Sequence, residues 1–147
     1  MPPENEEILV LLVRARGGYG NTISEHLSAA GFDDLPRNGP FVLGAMASRG
    51  ESAVDIIRGL GVTRQAASQL IDTLVLRGYL GREINPEDRR RMNVVLTEHG
   101  RAAAAAIRTG IAEVDAELAG MLSPDELAGL RAGLAALGQI AERTEHD

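Results

Sequence analysis

Four residues with side chains suited to reading base edges, Arg64, Gln65, Ser68 and Gln69, fall within six consecutive positions. Amides pair with adenine and a guanidinium with guanine, and the intervening Ala66 can meet a thymine methyl. Their spacing brings them onto one face of a helix. Ala67, Leu70, Ile71 and Leu74 follow the i, i+3, i+4, i+7 pattern of a buried stripe, which leaves Gln65, Ser68, Gln69 and Asp72 opposite and Arg64 on the flank. A second chemically active group is Arg89-Arg90-Arg91, just after Asn85-Pro86-Glu87-Asp88. Three arginines at a hairpin tip either reach phosphates and a minor groove or form a solvated cluster that protects a strand edge.

The neighbouring residues supply the elements that would hold these groups. Ser52 suits the cap of a short helix, with Asp55 placed for the positive end of its dipole. Leu60-Gly61-Val62 breaks that helix, Gly61 being able to take the positive φ of a tight turn, and Thr63 caps the next. Leu80, Ile84, Met92, Val94 and Leu96 then alternate on either side of residues 85–88, the pattern of a two-stranded ribbon. Helix, turn, helix and basic-tipped ribbon together predict a winged helix-turn-helix, one helix reading the major groove while the tip meets backbone or minor groove. In that setting Ser52, Thr63, Arg89 and Arg91 are candidates to position the phosphate backbone.

Residues from about 52 to 100 resemble the DNA-binding core of the MarR family of bacterial transcription regulators. The resemblance rests on LGVTRQAASQLIDTL, on Arg-Gly-Tyr-Leu-Gly-Arg at 77–82 and on NPEDRRRMNVVLTEHG at 85–100. In the last piece an Asp-x-Arg pair, Asp88 and Arg90, precedes a strand ending in Leu96-Thr97-x-x-Gly100. It implies that Arg90 enters the minor groove and that Asp88 holds it. Ile57 departs from the small residue usual at that point of a helix-turn-helix. The resemblance further implies dimerisation through terminal helices and, in many members, a small aromatic or anionic effector bound between those helices and the reading head.

Composition narrows the alternatives. The chain of 147 residues has no cysteine, which excludes a disulfide framework and any thiol switch. No long apolar run or apolar leader core is present, so a soluble, cytoplasmic protein without membrane contact is expected. All fifteen basic residues are arginine, a bias that a GC-rich genome produces as readily as function does. The net charge of −6 is unevenly spread. Residues 48–101 hold nine arginines against seven acids, a net of +2, while the remainder holds six against fourteen, a net of −8. A mildly basic head on an acidic body disfavours misoriented docking on DNA.

Taken from its start, residues 1–5 read as a frayed tail. A helical period follows through Ile8, Leu12, Ala15, Tyr19, Ile23 and Leu27, interrupted at Gly17, Gly18 and Gly20. A bend, a close approach by another helix, a ligand space beneath Tyr19 or a plain weak helix would each account for the glycines. Residues 33–39 read as loop, and Pro40 opens a helix carrying Phe41, Val42, Leu43 and Met46. Thr97 caps a long alanine-rich helix with a narrow seam that includes Ile111, Val114 and Leu118. Ser123-Pro124-Asp125-Glu126 is a capping box, and the helix after it places Leu127, Leu130, Leu134 and Leu137 on one face.

The expected fold is mainly α with a small β-wing: a winged helix-turn-helix core at 40–100 flanked, within a single domain of 1–147, by dimerisation helices at 6–31 and 101–145. The terminal stripes exceed what so small a core can cover. Ile8, Leu12, Ile111, Val114, Leu118, Leu127, Leu130, Leu134 and Leu137 are therefore expected to bury against a second copy. For an effector the lining candidates are Arg16, Tyr19, His26, Phe41 and Met46, of which Tyr19, Phe41 and Met46 read more readily as ordinary core. His26, His99 and His146 show no metal-ligand spacing, His99 reads as surface, and no catalytic arrangement, metal or cofactor is expected. The expected function is sequence-specific binding of double-stranded DNA by a homodimeric regulator, most simply a repressor. A winged-helix protein-interaction module with little DNA affinity is the competing class, favoured by the overall acidity and by Asp72 on the polar face.

Overall fold

The structure, a computed structural model, describes residues 4–145; Met1 to Pro3 of the expected tail, and His146, lie outside the described residues. Six helices and one ribbon follow in the order α1 (Ile8–Ala29), α2 (Gly39–Arg49), α3 (Ala53–Arg58), α4 (Arg64–Leu76), β1 (Leu80–Ile84), β2 (Met92–Leu96), α5 (Glu98–Met121) and α6 (Pro124–Glu145). The fold is mainly helical with a two-stranded antiparallel wing. Its contacts divide into two units, one ending at Ile111 and one beginning at Ala112.

Side-chain caps set most of the boundaries in the first unit. The Ser52 hydroxyl accepts from the Asp55 N–H at 3.2 Å, and that of Thr63 accepts from Ala66 at 3.1 Å. Each satisfies one of the donors that a helix start leaves open. Between the two helices Gly61 takes φ +67°, the left-handed conformation the tight turn requires. Thr97 both caps α5, accepting from Gly100 at 3.0 Å, and donates to the Gly78 and Tyr79 carbonyls. One residue thereby joins the root of the wing to the helix after it.

The core gathers Val42, Leu43, Ile56, Ile57, Leu70, Leu74, Tyr79, Leu80, Ala103, Ala104 and Ile107 around this head. Ile57, the departure from the usual small residue, is fully buried, so the extra side chain adds to the core. Gly100 packs where no side chain fits: a Cβ there would stand 2.0 Å from the Tyr79 carbonyl oxygen. Gly110 likewise faces the backbone of Ile23 in α1, its would-be Cβ lying 3.0 Å from the Ile23 Cα. That close approach of α5 to α1 occurs where alanine-rich α5 presents no side chain.

Two expectations need correction. The glycines at 17, 18 and 20 do not interrupt α1, which runs unbroken from Ile8 to Ala29, and a Cβ at Gly18 or Gly20 would meet nothing within 4 Å. No close packing inside this chain explains them; the helix carries three unfavourable residues, each costing about 1 kcal/mol, between better formers on both sides. Gly39, expected in the loop, is the first residue of α2, with Asn38 before it at φ +68°.

The second unit is simpler. It begins in α5, passes Ser123 and continues as α6. Ser123 and Glu126 form the reciprocal box, the Glu126 N–H donating to the serine hydroxyl at 3.2 Å and the Ser123 N–H to the carboxylate at 3.1 Å. Hydrogen bonding from Ser123 to the ionised carboxylate, first from its backbone N–H, holds the Glu126 carboxyl below its ordinary value. Val114, Leu118, Leu122 and Leu127 are half-buried, whereas Leu130, Leu134, Leu137 and Ile140 are exposed.

Candidate nucleic-acid interface

Helix α4 turns its apolar stripe inward as the spacing requires: Leu70 and Leu74 are buried, Ala67 and Ile71 half-buried. Arg64, Gln65, Ala66, Ser68, Gln69 and Asp72 are all exposed, so one open face carries the amides, the hydroxyl and the guanidinium. Leu76, one turn beyond Asp72, extends that face and is 86 % exposed. Ser52 and Thr63 stand at the N-termini of α3 and α4; their oxygens accept the capping bonds, which leaves each hydroxyl proton available to an outside acceptor.

The wing pairs Leu80 with Leu96, Arg82 with Val94 and Ile84 with Met92 across one face, and Gly81 with Val95 and Glu83 with Asn93 across the other. The apolar face starts in the core at Leu80 and ends exposed at Ile84 and Met92. Between the strands the chain is held by its own short side chains. Asn85 Oδ1 accepts from the Glu87 N–H at 2.9 Å, Asp88 Oδ1 accepts from the Arg90 N–H at 3.1 Å, and the Asn85 N–H donates to the Arg91 carbonyl at 3.0 Å.

The bond between Asp88 and Arg90 is made to the Arg90 backbone N–H. The Asp88 carboxylate faces the Arg91 guanidinium at 3.7 Å, an exposed pair. Arg89, Arg90 and Arg91 all remain exposed at the tip. Three cations therefore sit on a loop whose path is fixed by Asn85 and Asp88, an arrangement that can meet an anionic surface without first ordering the backbone.

Asp72 reaches Arg82 of β1, Arg82 Nη2 lying 2.5 Å from Asp72 Oδ1. The one acidic group on the polar face of α4 is thus neutralised by the wing. Sequence reasoning missed this partner, since Asp72 lies on a helix and Arg82 on a strand, outside any local spacing rule.

At the root of the wing Tyr79 is fully buried and its hydroxyl donates to the Asp34 carboxylate in the α1–α2 loop, while Arg77 donates to the Asp34 carbonyl. The phenol is pushed up to about 12, first by burial and then by its bond to Asp34. His99, expected as mere surface, is exposed on one side and stacks on the Tyr79 ring at 4.5 Å between centroids, with Phe32 5.1 Å away.

Of the five residues considered for an effector, two come together. Arg16 and Phe41 line an open cleft of about 650 Å³ with Arg37, Asn38, Leu60 and Val62. Tyr19, His26 and Met46 do not line it; Met46 packs against the core. Leu60 and Val62 flank Gly61, so the cleft borders the turn that orients α4. Arg37 and Asn38 lay in the stretch read as loop, and only the folded chain brings them to Arg16.

Among the described residues no helix is long and apolar enough to cross a membrane, and no group of three acidic, histidine or cysteine side chains could hold a metal.

Residues 33–91, which include α2, α3, α4 and the first strand and tip of the wing but not β2, match the model of the MarR family. No curated protein matches the sequence. Among solved structures the chain is similar to MarR from E. coli in its reduced form, at 26 % identity and a TM-score of 0.65, covering 91 % of this chain and 98 % of that one. It is also similar to S. aureus MepR in a DNA complex (21 %, TM-score 0.70, 90 % and 97 % covered). A third likeness is to Bordetella bronchiseptica BpsR, whose DNA binding is regulated by 6-hydroxynicotinic acid (24 %, TM-score 0.63, 91 % and 94 % covered).

Proposed function

We propose that this chain, whose residues 33–91 match the MarR family model, is a winged-helix transcription regulator of that family, not an enzyme, that binds double-stranded DNA as a homodimer. The observation that carries the reading is the open face of α4, with Arg64, Gln65, Ser68 and Gln69 exposed together, beside a preformed wing tip bearing Arg89, Arg90 and Arg91. Arg64, Gln65, Ser68 and Gln69 read base edges in the major groove, Arg90 enters the minor groove, and Ser52, Thr63, Arg89 and Arg91 hold phosphates, with Asp88 shaping the tip. The likeness to MepR in its DNA complex supports this use of the fold.

Dimerisation rests on unpartnered apolar surface. Ile8, Leu12, Leu130, Leu134 and Leu137 are all at least 40 % exposed in the single chain, far more than scattered surface leucines require. With Ile111, Val114, Leu118 and Leu127 they supply the stripes for a two-fold partner. Two reading heads related by that axis select a pseudo-palindromic site with half-sites about 34 Å apart. Occupying such a site over a promoter makes the protein a repressor.

A small aromatic or anionic effector fits the cleft, where Arg16 and Arg37 offer charge and Phe41 an apolar wall. A ligand there contacts the residues flanking Gly61 and favours dimers whose heads are misplaced for one face of DNA. The competing interaction-module reading loses one support, because Asp72 is ion-paired with Arg82.

Selection of duplexes from a random pool, followed by binding isotherms at several salt concentrations, tests the proposal. A two-fold-symmetric motif bound with steep salt dependence is expected. No enriched motif at low salt, from refolded ligand-free protein, would contradict it.

A further inference from the structure

Asp72 is the one acidic residue of α4 and lies on its reading face, and Arg82 reaches it from β1. Their side chains meet at 2.5 Å across the gap between the recognition helix and β1. Arg82 shares the core-side face of the ribbon with Leu80 and Ile84, so its reach toward α4 follows from the register of the wing. Asp72 sits one turn beyond Ser68 and three residues beyond Gln69, on the surface that a major groove would cover.

We propose that Arg82 is a positioning residue for DNA recognition: it cancels the charge of Asp72 on the reading face. The inference rests on the DNA-binding reading above. Two physical points carry it. A bare carboxylate on a surface pressed against phosphates is repelled, whereas an ion-paired one presents little net charge. An exposed pair adds little to folding, so its presence is not explained by stability.

The pair differs from the arginines of the tip in what its loss should do. Removing a phosphate-binding arginine weakens binding irrespective of Asp72. Removing Arg82 weakens binding because Asp72 is left uncovered, and the loss should disappear when Asp72 is also neutralised.

The test uses the full chain and the duplex selected for it, with R82Q, D72N and the double variant compared by binding isotherms and by thermal unfolding. R82Q is expected to lose about tenfold or more in affinity. D72N is expected to bind as well as the native chain or better, and D72N/R82Q to return to within about threefold of native. The salt dependence of R82Q should keep its native slope, because no phosphate contact is lost. R82Q binding like native, or a double variant as weak as R82Q, would overturn the inference. So would a salt slope reduced by about one, the mark of a direct phosphate contact. If the native chain binds no duplex, the regulator reading itself falls and this inference with it; native binding combined with any of the contrary variant results removes only the role of the pair. Midpoints of unfolding within a few degrees of native show that each variant is folded when its affinity is read.

Discussion

The hydroxyl of Tyr79 donates to the carboxylate of Asp34, joining the residue just before the wing to the loop between α1 and α2. Burial and that carboxylate raise the phenol from 10.0 to about 12. Because the folded value is raised, the stabilisation is fully present below pH 10. It is lost as the pH climbs towards 12, since the unfolded chain gives up the proton first. A loss of up to about 2 kcal/mol over that window is expected. Denaturant titrations at pH 8, 10 and 11.5 check it, with Tyr79→Phe expected to lack this component of the alkaline loss.

Gly100 touches the same tyrosine from the other side. A methyl at that position would overlap the Tyr79 carbonyl at 2.0 Å, against backbone that has no flexible end to move aside. Gly100→Ala is expected to cost about 3 kcal/mol. Gly18→Ala, in open space on a continuous helix, should stabilise the helix of the single chain by up to about 1 kcal/mol. Thermal melts of the two variants should therefore shift in opposite directions.

The start of α6 depends on the Ser123 and Glu126 box. Ser123→Ala should cost about 1 kcal/mol, measured by denaturant unfolding. The carboxyl of Glu126 is depressed, so the contribution of its ionised form is present at neutral pH and lost as the pH falls through its folded value.

Leu134 and Leu137, both exposed on α6, are proposed dimer contacts. Leu134→Glu with Leu137→Glu should convert a dimer to a monomer in sedimentation equilibrium. DNA affinity should fall by at least about a hundredfold, because the two half-sites no longer act as one bivalent site.

The parts of this fold that could be read from sequence are those determined within a few residues. Ser52, Thr63, Thr97 and Ser123 each announce a helix because a cap bonds to a backbone group three residues on. The stripe of α4 and the alternation of the wing are equally local, and with them the open face carrying Gln65 and Gln69. What could not be read joins residues far apart in the chain. Nothing in the neighbourhood of Asp72 points to Arg82, and nothing near Arg37 points to Arg16. Nothing beside Gly110 in the sequence points to Ile23, yet that glycine is where α1 approaches α5. The glycines of α1 misled in the opposite sense: their local cost was real, but no competing turn signal or proline ended the helix, and it continued through them.

The central claim is that the head of this protein grips DNA with the wing as well as the helix, and Arg90 tests it most directly. Its side chain is exposed at the tip while its N–H is held by Asp88, so Arg90→Ala should leave the loop and the dimer as they are. Binding isotherms on the selected duplex should be measured for native and Arg90→Ala protein across a range of salt. Affinity at least about tenfold weaker, with a salt slope reduced by about one per subunit and an unchanged dimer, is the expected result. Equal affinity and equal slope in the variant would contradict the claim.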